Sequence, residues 1–172
     1  MLARAAQWAA TKKASYISHT AATTQENLKT INNATDELVK VVNGYQGGLI
    51  PAAGISNQEA VLSQHIKYAT TDAEASEVVS EAEAEEIIKY IEETLEKTIQ
   101  ACMTALKNKK AELAKANLQE TTFRDLEDLR KLTNKLGDIL VTKAPQSKQD
   151  EGKRVNSLVD ANFNDAMKFF DA

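Results

Sequence analysis

Apolar residues recur along this 172-residue chain at helical spacing, and that period restricts the possible fold more than any other feature. Placed at about 100° per residue, Leu28, Ile31, Leu38, Val42 and Tyr45 share one stripe, with Lys29, Asn33 and Lys40 on the other side. The spacing predicts a first helix over residues 20–46. A second stripe, Leu62, Ile66, Ala69 and Ala73, predicts a helix from Ser56 to about Ser76, opened by Ser56-Asn57-Gln58-Glu59 as a capping box. After a break at 76–80, Ile88, Ile91, Leu95, Ile99, Cys102 and Leu106 mark a central helix over 81–117. Its acidic start and lysine-rich end match the helix dipole. Leu126, Leu129, Leu136 and Leu140 place the next helix at 121–142, and Val155, Leu158, Val159, Phe163, Ala166, Phe169 and Phe170, all expected on one side, a last one at 154–170. Residues 143–153 lack any large apolar side chain and read as an exposed, mobile loop. None of the stripes sustains a coiled-coil heptad. The predicted fold is therefore all-α, an antiparallel bundle of five or six helices.

Composition narrows the function. Only 5% of residues are aromatic and two are proline, which suits helices. A net charge of −4 gives no general pull toward nucleic acid or an anionic membrane, and no run is long enough to span a bilayer. Cys102 is the single cysteine, which excludes an internal disulfide and reads as a small buried apolar residue. Residues 1–19 carry Arg4, Lys12 and Lys13 but no acidic side chain, the pattern of a leader such as an organelle transit segment or of an extra docking helix. The apolar centre of a secretory signal is missing there. Residues 20–172 form one domain in this reading.

Chemistry is sparse. His19 and His65 are too far apart for a local metal motif, no nucleophile elbow or phosphate loop occurs, and the glycines at 44, 47 and 48 follow a helix rather than a strand. Neither enzyme activity nor a cofactor is expected. The unusual segment is Gly44 to Ile55, which holds four of the six glycines and yet carries Leu49, Ile50 and Ile55. Gly47-Gly48 stops the first helix, and Leu49, Ile50 and Ile55 are expected to cap one end of the bundle interior.

Several inner stripes are interrupted by uncharged polar residues: Thr35, Thr98, Thr133 and Asn162. A buried threonine can satisfy itself on the carbonyl four residues back. An asparagine amide is harder to satisfy within its own helix, so Asn162 is the leading polar candidate. A mostly aliphatic interior with a few neutral polar groups suits the head of an amphipathic ligand in an apolar cavity. Leu95, Leu129 and Phe163 would wall it, and Arg130 is the nearest candidate counter-charge.

The series Ile31, Leu38, Val42, Tyr45 followed by Gly47-Gly48, the segment Leu106-Lys107-Asn108-Lys109-Lys110, and the closing Asn162-Phe163-Asn164-Asp165-Ala166-Met167-Lys168-Phe169-Phe170 resemble the hydrophobic surface-binding protein A family, which includes fungal cell-wall galactomannoproteins. The resemblance covers about residues 25–170. It implies a secreted or wall-associated helical bundle that encloses a long-chain fatty acid or similar lipid, with no enzymatic activity. It also implies that Asn162, and less directly Thr133, meet the lipid carboxylate. The sequon Asn33-Ala34-Thr35 fits export. The competing expectation is an adhesive or protein-interaction module that adsorbs to hydrophobic surfaces without a stoichiometric ligand.

Overall fold

Each apolar stripe becomes a rod in the computed structural model, which describes residues 20–171; the leader or extra helix expected over residues 1–19 lies outside them. The helices are α1 Ala21–Gly44, α2 Leu49–Ala75, α3 Glu81–Tyr90, α4 Glu96–Asn108, α5 Lys110–Lys115, α6 Gln119–Lys143 and α7 Gln146–Asp171. A π-helical turn, Ile91–Leu95, joins α3 to α4, so the two form one continuous rod. Among the described residues there is no strand.

Successive rods run in opposite directions, as the short connections require, and they close into a ring. α1 packs on α2, α2 on α6, α6 on α7, α7 on α3 and α4, and the α3–α4 rod returns to α1. Rods that alternate along the chain do not alternate around this ring: the α3–α4 rod lies parallel to α1 and α7, and α2 lies parallel to α6. Leu28, Leu38, Val42, Leu106, Leu126, Val155 and Phe170 are the most deeply buried side chains and line the inner faces. Burying each large aliphatic or aromatic side chain contributes on the order of 2 kcal/mol.

The first helix starts where it should. Thr20 caps it by accepting from the Thr23 amide at 3.4 Å, and Tyr45 ends it with its hydroxyl donated to the Gly48 carbonyl at 3.1 Å. Gly47 and Gly48 turn the chain at φ +105° and +91°, a region that disfavours any Cβ.

Three boundaries differ from the sequence expectation. The apolar segment after Gly48 is not a loop, because α2 begins at Leu49. Pro51 sits in the first turn, where a missing N–H costs nothing, and α2 packs on α1 from there, with Gly54 beside Val41. Ser56 is therefore inside the helix and caps nothing. The capping box is at Ser80 and Glu83, where the serine hydroxyl accepts from the Glu83 amide at 3.2 Å and the Ser80 amide donates to Glu83 at 2.8 Å. Second, the central rod breaks at Lys109 rather than running on to Asn117, which takes a left-handed φ of +59° before α6. Third, the expected mobile loop at 143–153 is mostly helix, because α7 begins at Gln146 just after Pro145. Lys148 pairs with Glu85 at 3.6 Å, Ser147 bonds Glu81, and Gly152 lets α7 close on Val141. Lys143 also ties this end together by donating to the Ser76 carbonyl at 2.5 Å and the Glu74 carbonyl at 3.1 Å, two open groups at the end of α2.

Candidate functional site

The five rods leave a small hollow on their common axis. Thr35 from α1, Leu62 from α2, Leu95 from the π turn, Leu129 and Thr133 from α6, and Phe163 from α7 all line it, and its volume is about 40 Å³. Thr35, Leu95, Leu129, Thr133 and Phe163, scattered over 129 sequence positions, thus meet around one cavity. Both threonines are satisfied within their own helices: Thr35 donates to the Ile31 carbonyl at 2.8 Å and Thr133 to the Leu129 carbonyl at 2.7 Å. With their protons committed, these hydroxyls present only lone pairs to the cavity.

Two further apolar hollows continue this one along the axis. Leu95, Ile99, Thr133 and Leu136 are shared with the next, of about 60 Å³. Ile91, Gly137, Leu140 and Asn156 are shared between that hollow and a third, of about 30 Å³, beside Thr24, Ser76 and Val79. The π turn lies along all three, with Ile91 facing two and Leu95 facing two. Its bond from the Glu96 amide to the Ile91 carbonyl inserts one extra residue into the helix. Such turns are found preferentially at functional sites because they widen and re-aim one face of a helix. The row of hollows is lined by aliphatic groups and carries no ionisable side chain except Asp138 at one edge, Lys143 at the far end and Cys102. Burial pushes the Cys102 thiol up to about 12, so it stays neutral.

Other residues expected at the site are elsewhere. The Asn162 side chain is half-buried between α7 and α4 and donates to Glu96 Oε1 at 2.9 Å, so its amide serves the rod interface and not the hollow. Burial raises the Glu96 carboxyl, but the bonds from Asn162 and Lys97 outweigh it and hold the group below its ordinary value. Thr98 turns back to the Thr94 carbonyl at 3.2 Å and is also only half-buried. Arg130 is engaged by Asp160 through two bonds of 2.6 and 3.1 Å, which leaves it no role as counter-charge in the interior. Leu49 and Ile50 do not cover the axis. They are 67% and 88% exposed on the first turn of α2, although Leu49 borders a separate end pocket of about 220 Å³.

That end pocket contains a pair of ionisable groups that sequence reading overlooked. Glu59 is 8% exposed and faces Asp125 across the α2–α6 contact. Burial first, and then the charge of Asp125, push the Glu59 carboxyl up to about 8. Burial also raises Asp125, helped by Asp128 and opposed by the bond with Glu59. The two carboxyls therefore share a proton at neutral pH. The signal was present in the sequence, since Glu59 falls at helical spacing between Ile55 and Leu62. Gly137 was likewise visible as a glycine inside a helix, where it costs about 1 kcal/mol relative to alanine and so needs a reason. Among the described residues no cluster of side chains is arranged to hold a metal ion, and no helix is long and apolar enough to cross a membrane.

Comparison with known proteins gives a consistent picture. A family model described as Hydrophobic surface binding protein A matches residues 21–142. No curated protein sequence matches the chain. Among solved structures, Afmp4p in complex with palmitic acid is 27% identical, with a TM-score of 0.83 over 87% of this chain and 99% of that one. Ligand binding domain 1 of the Penicillium marneffei MP1 protein, complexed with arachidonic acids, is 16% identical, with a TM-score of 0.80 over 85% of this chain and 95% of that one. Domain 2 of the same protein, complexed with multiple arachidonic acids, is 19% identical, with a TM-score of 0.79 over 85% and 92%. At those lower identities the two domains show the fold.

Proposed function

Because this chain belongs to the hydrophobic surface binding protein A family, we propose that it binds a long-chain fatty acid or similar single-chain lipid between the rods of its bundle, as a non-enzymatic carrier or sequestering protein. The observation that carries this reading is the row of three apolar hollows along the π turn, each sharing lining residues with the next. The palmitic acid in the complex of Afmp4p, which has the same fold, supports it. Thr35, Leu95, Leu129, Thr133 and Phe163 would contact the chain. Asn162, Thr98, Leu49 and Ile50 do not belong to this set, for the reasons of placement given above.

The hollows are small. At about 40 Å³ the central one has room for a few water molecules and not for a long acyl chain. A lipid therefore enters by separating the rods, and the work of opening is offset by burial at about 0.8 kcal/mol per methylene. Affinity should rise with chain length until the row is filled. Organic extraction of the purified protein followed by mass spectrometry, together with displacement of a fluorescent fatty acid by a chain-length series, tests this. Recovery of single-chain lipid and tighter displacement by longer chains are expected. An empty extract combined with no displacement at any length would overturn the proposal. A secreted or wall-associated location belongs to the same proposal, supported by the family and by the exposed Asn33 of the sequon. Detection of the tagged protein only inside its cells would contradict it.

A second reading is favoured by one observation. Leu49, Ile50 and the 43% exposed Phe169 lie at the same end of the bundle, where adsorption to a hydrophobic surface needs no interior ligand. Leu49→Ser with Ile50→Ser should weaken adsorption to hydrophobic beads and leave displacement of the fluorescent fatty acid unchanged.

A further inference from the structure

On the outer side of the α6–α7 pair, an open groove of about 510 Å³ is lined by Asn134, Asp138, Asn156, Ser157, Asp160 and Asn164. Three of these, Asn134, Asp138 and Asn156, also line the apolar hollow beneath. The groove and the row therefore share a wall at the middle hollow, so a chain that lies in the central and middle hollows can bring its head here.

The shared wall is built around Gly137. A Cβ at that position would stand 2.8 Å from the Cγ, Oδ1 and Nδ2 atoms of Asn156, so the missing side chain is what allows the amide to lie against α6. Among the described residues the Asn156 amide has no hydrogen-bond partner, unlike Asn134 and Asn164, which both donate to Asp160 at 2.7 and 2.8 Å. Two donors and an acceptor thus stand open at the mouth. Asp160 is held as a carboxylate by the Arg130 bond first, then by those from Asn134 and Asn164. Of the residues common to groove and hollow, the one that carries charge is Asp138, and it is negative. Lys153 lines only the groove, one helical turn before Asn156.

The four bonds from Arg130, Asn134 and Asn164 fill the acceptor sites of Asp160. A fatty-acid carboxylate at this mouth meets the like charge of Asp138, whereas a head bearing several hydroxyls can donate to Asp138 and accept from the Asn156 amide. We infer that the lipid this groove selects has an uncharged, polyhydroxylated head, as in a monoacylglycerol, with Asn156 and Asp138 determining that choice. The inference rests on the lipid-binding reading above. It adds the class of head group and the residues that read it.

The test compares palmitic acid with 1-monopalmitoylglycerol by displacement of the same fluorescent fatty acid at neutral pH. The monoacylglycerol should bind tighter by roughly tenfold, the value of one or two well-made hydrogen bonds. Asn156→Leu and Gly137→Ala should each bring the ratio of affinities close to one. Gly137→Ala is the more decisive variant, because it only has to push aside the end of one side chain and gains helix propensity, so the fold survives. Asp138→Asn should tighten palmitic acid severalfold. Equal affinities in the wild-type protein, or a ratio that both mouth variants leave unchanged, would overturn the inference while leaving lipid binding intact. Failure of both ligands to bind would overturn the lipid-binding reading and this inference with it.

Discussion

α6 brings polar groups to two neighbours in opposite ways. Toward α7 it offers Gly137, and a neutral amide from Asn156 lies in the gap, wet on one side and unpartnered. Toward α2 it offers Asp125, and Glu59 meets it in a site where burial disfavours charge. The first arrangement leaves hydrogen-bonding capacity unused at no electrostatic cost, so it is suited to a ligand. The second uses its capacity internally and ties the stability of the α2–α6 contact to pH. A polar residue inside an apolar bundle is thus informative only with its partner and its ionisation in view.

The largest effect expected from disturbing this arrangement is at the centre, which belongs to neither side. Phe163→Ala removes the α7 wall of the central hollow and should destabilise the protein by about 3–5 kcal/mol in chemical denaturation. A loss below about 1 kcal/mol would mean that the rods collapse freely into the space. Next in size is the carboxyl pair. Glu59 has its folded value raised to about 8 from an ordinary 4.5, so the folded state holds a proton that the unfolded chain has released within that window. Stability should be fully present below about pH 4.5 and decline as pH rises through about 8, where the proton is lost from the folded protein too. Glu59→Gln should flatten this decline and raise Tm by several degrees at pH 8.5. A melting temperature independent of pH between 5 and 8.5 in the wild-type protein would place the pair in water. Smaller again, Gly137→Ala should change stability by no more than about 1 kcal/mol in either direction, since the tip of Asn156 can move. Smallest, Leu49→Ser with Ile50→Ser should shift stability by less than about 0.5 kcal/mol, because both side chains are largely in solvent.

The rods were legible in the sequence because each buries a stripe of large residues, and Leu28, Ile31, Leu38 and Val42 can point to the core in only one way. Their ends were harder to read. Ser56-Asn57-Gln58-Glu59 has the letters of a capping box, but Pro51 is compatible with a helix that has already begun, and docking on α1 carries α2 back to Leu49. The first turns of α7 contain no large apolar residue, so periodicity is blind to them, and they are ordered by small-residue contact and ion pairs at a distance in sequence. The placement of Thr35, Thr133, Leu95, Leu129 and Phe163 around the central hollow was legible because inward direction follows from their stripes. Asn162 was misplaced because the edge of a stripe faces a neighbouring rod as readily as the axis, and here Glu96 of α4 stands across from it. Asn156 and the π turn were not legible at all. An extra residue in a helix leaves no mark in composition, and the meaning of Asn156 depends on Gly137, which another rod supplies.

The central claim, that an acyl chain lies in the row of hollows along the π turn, is tested most directly by intermolecular NOEs between a labelled palmitic acid and the methyl groups of isoleucine and leucine. Contacts from the chain methylenes to Ile91, Leu95, Leu129 and Leu136 are predicted. Contacts confined to Leu49, Ile50 and Ile55, at the far end of the bundle, would contradict it.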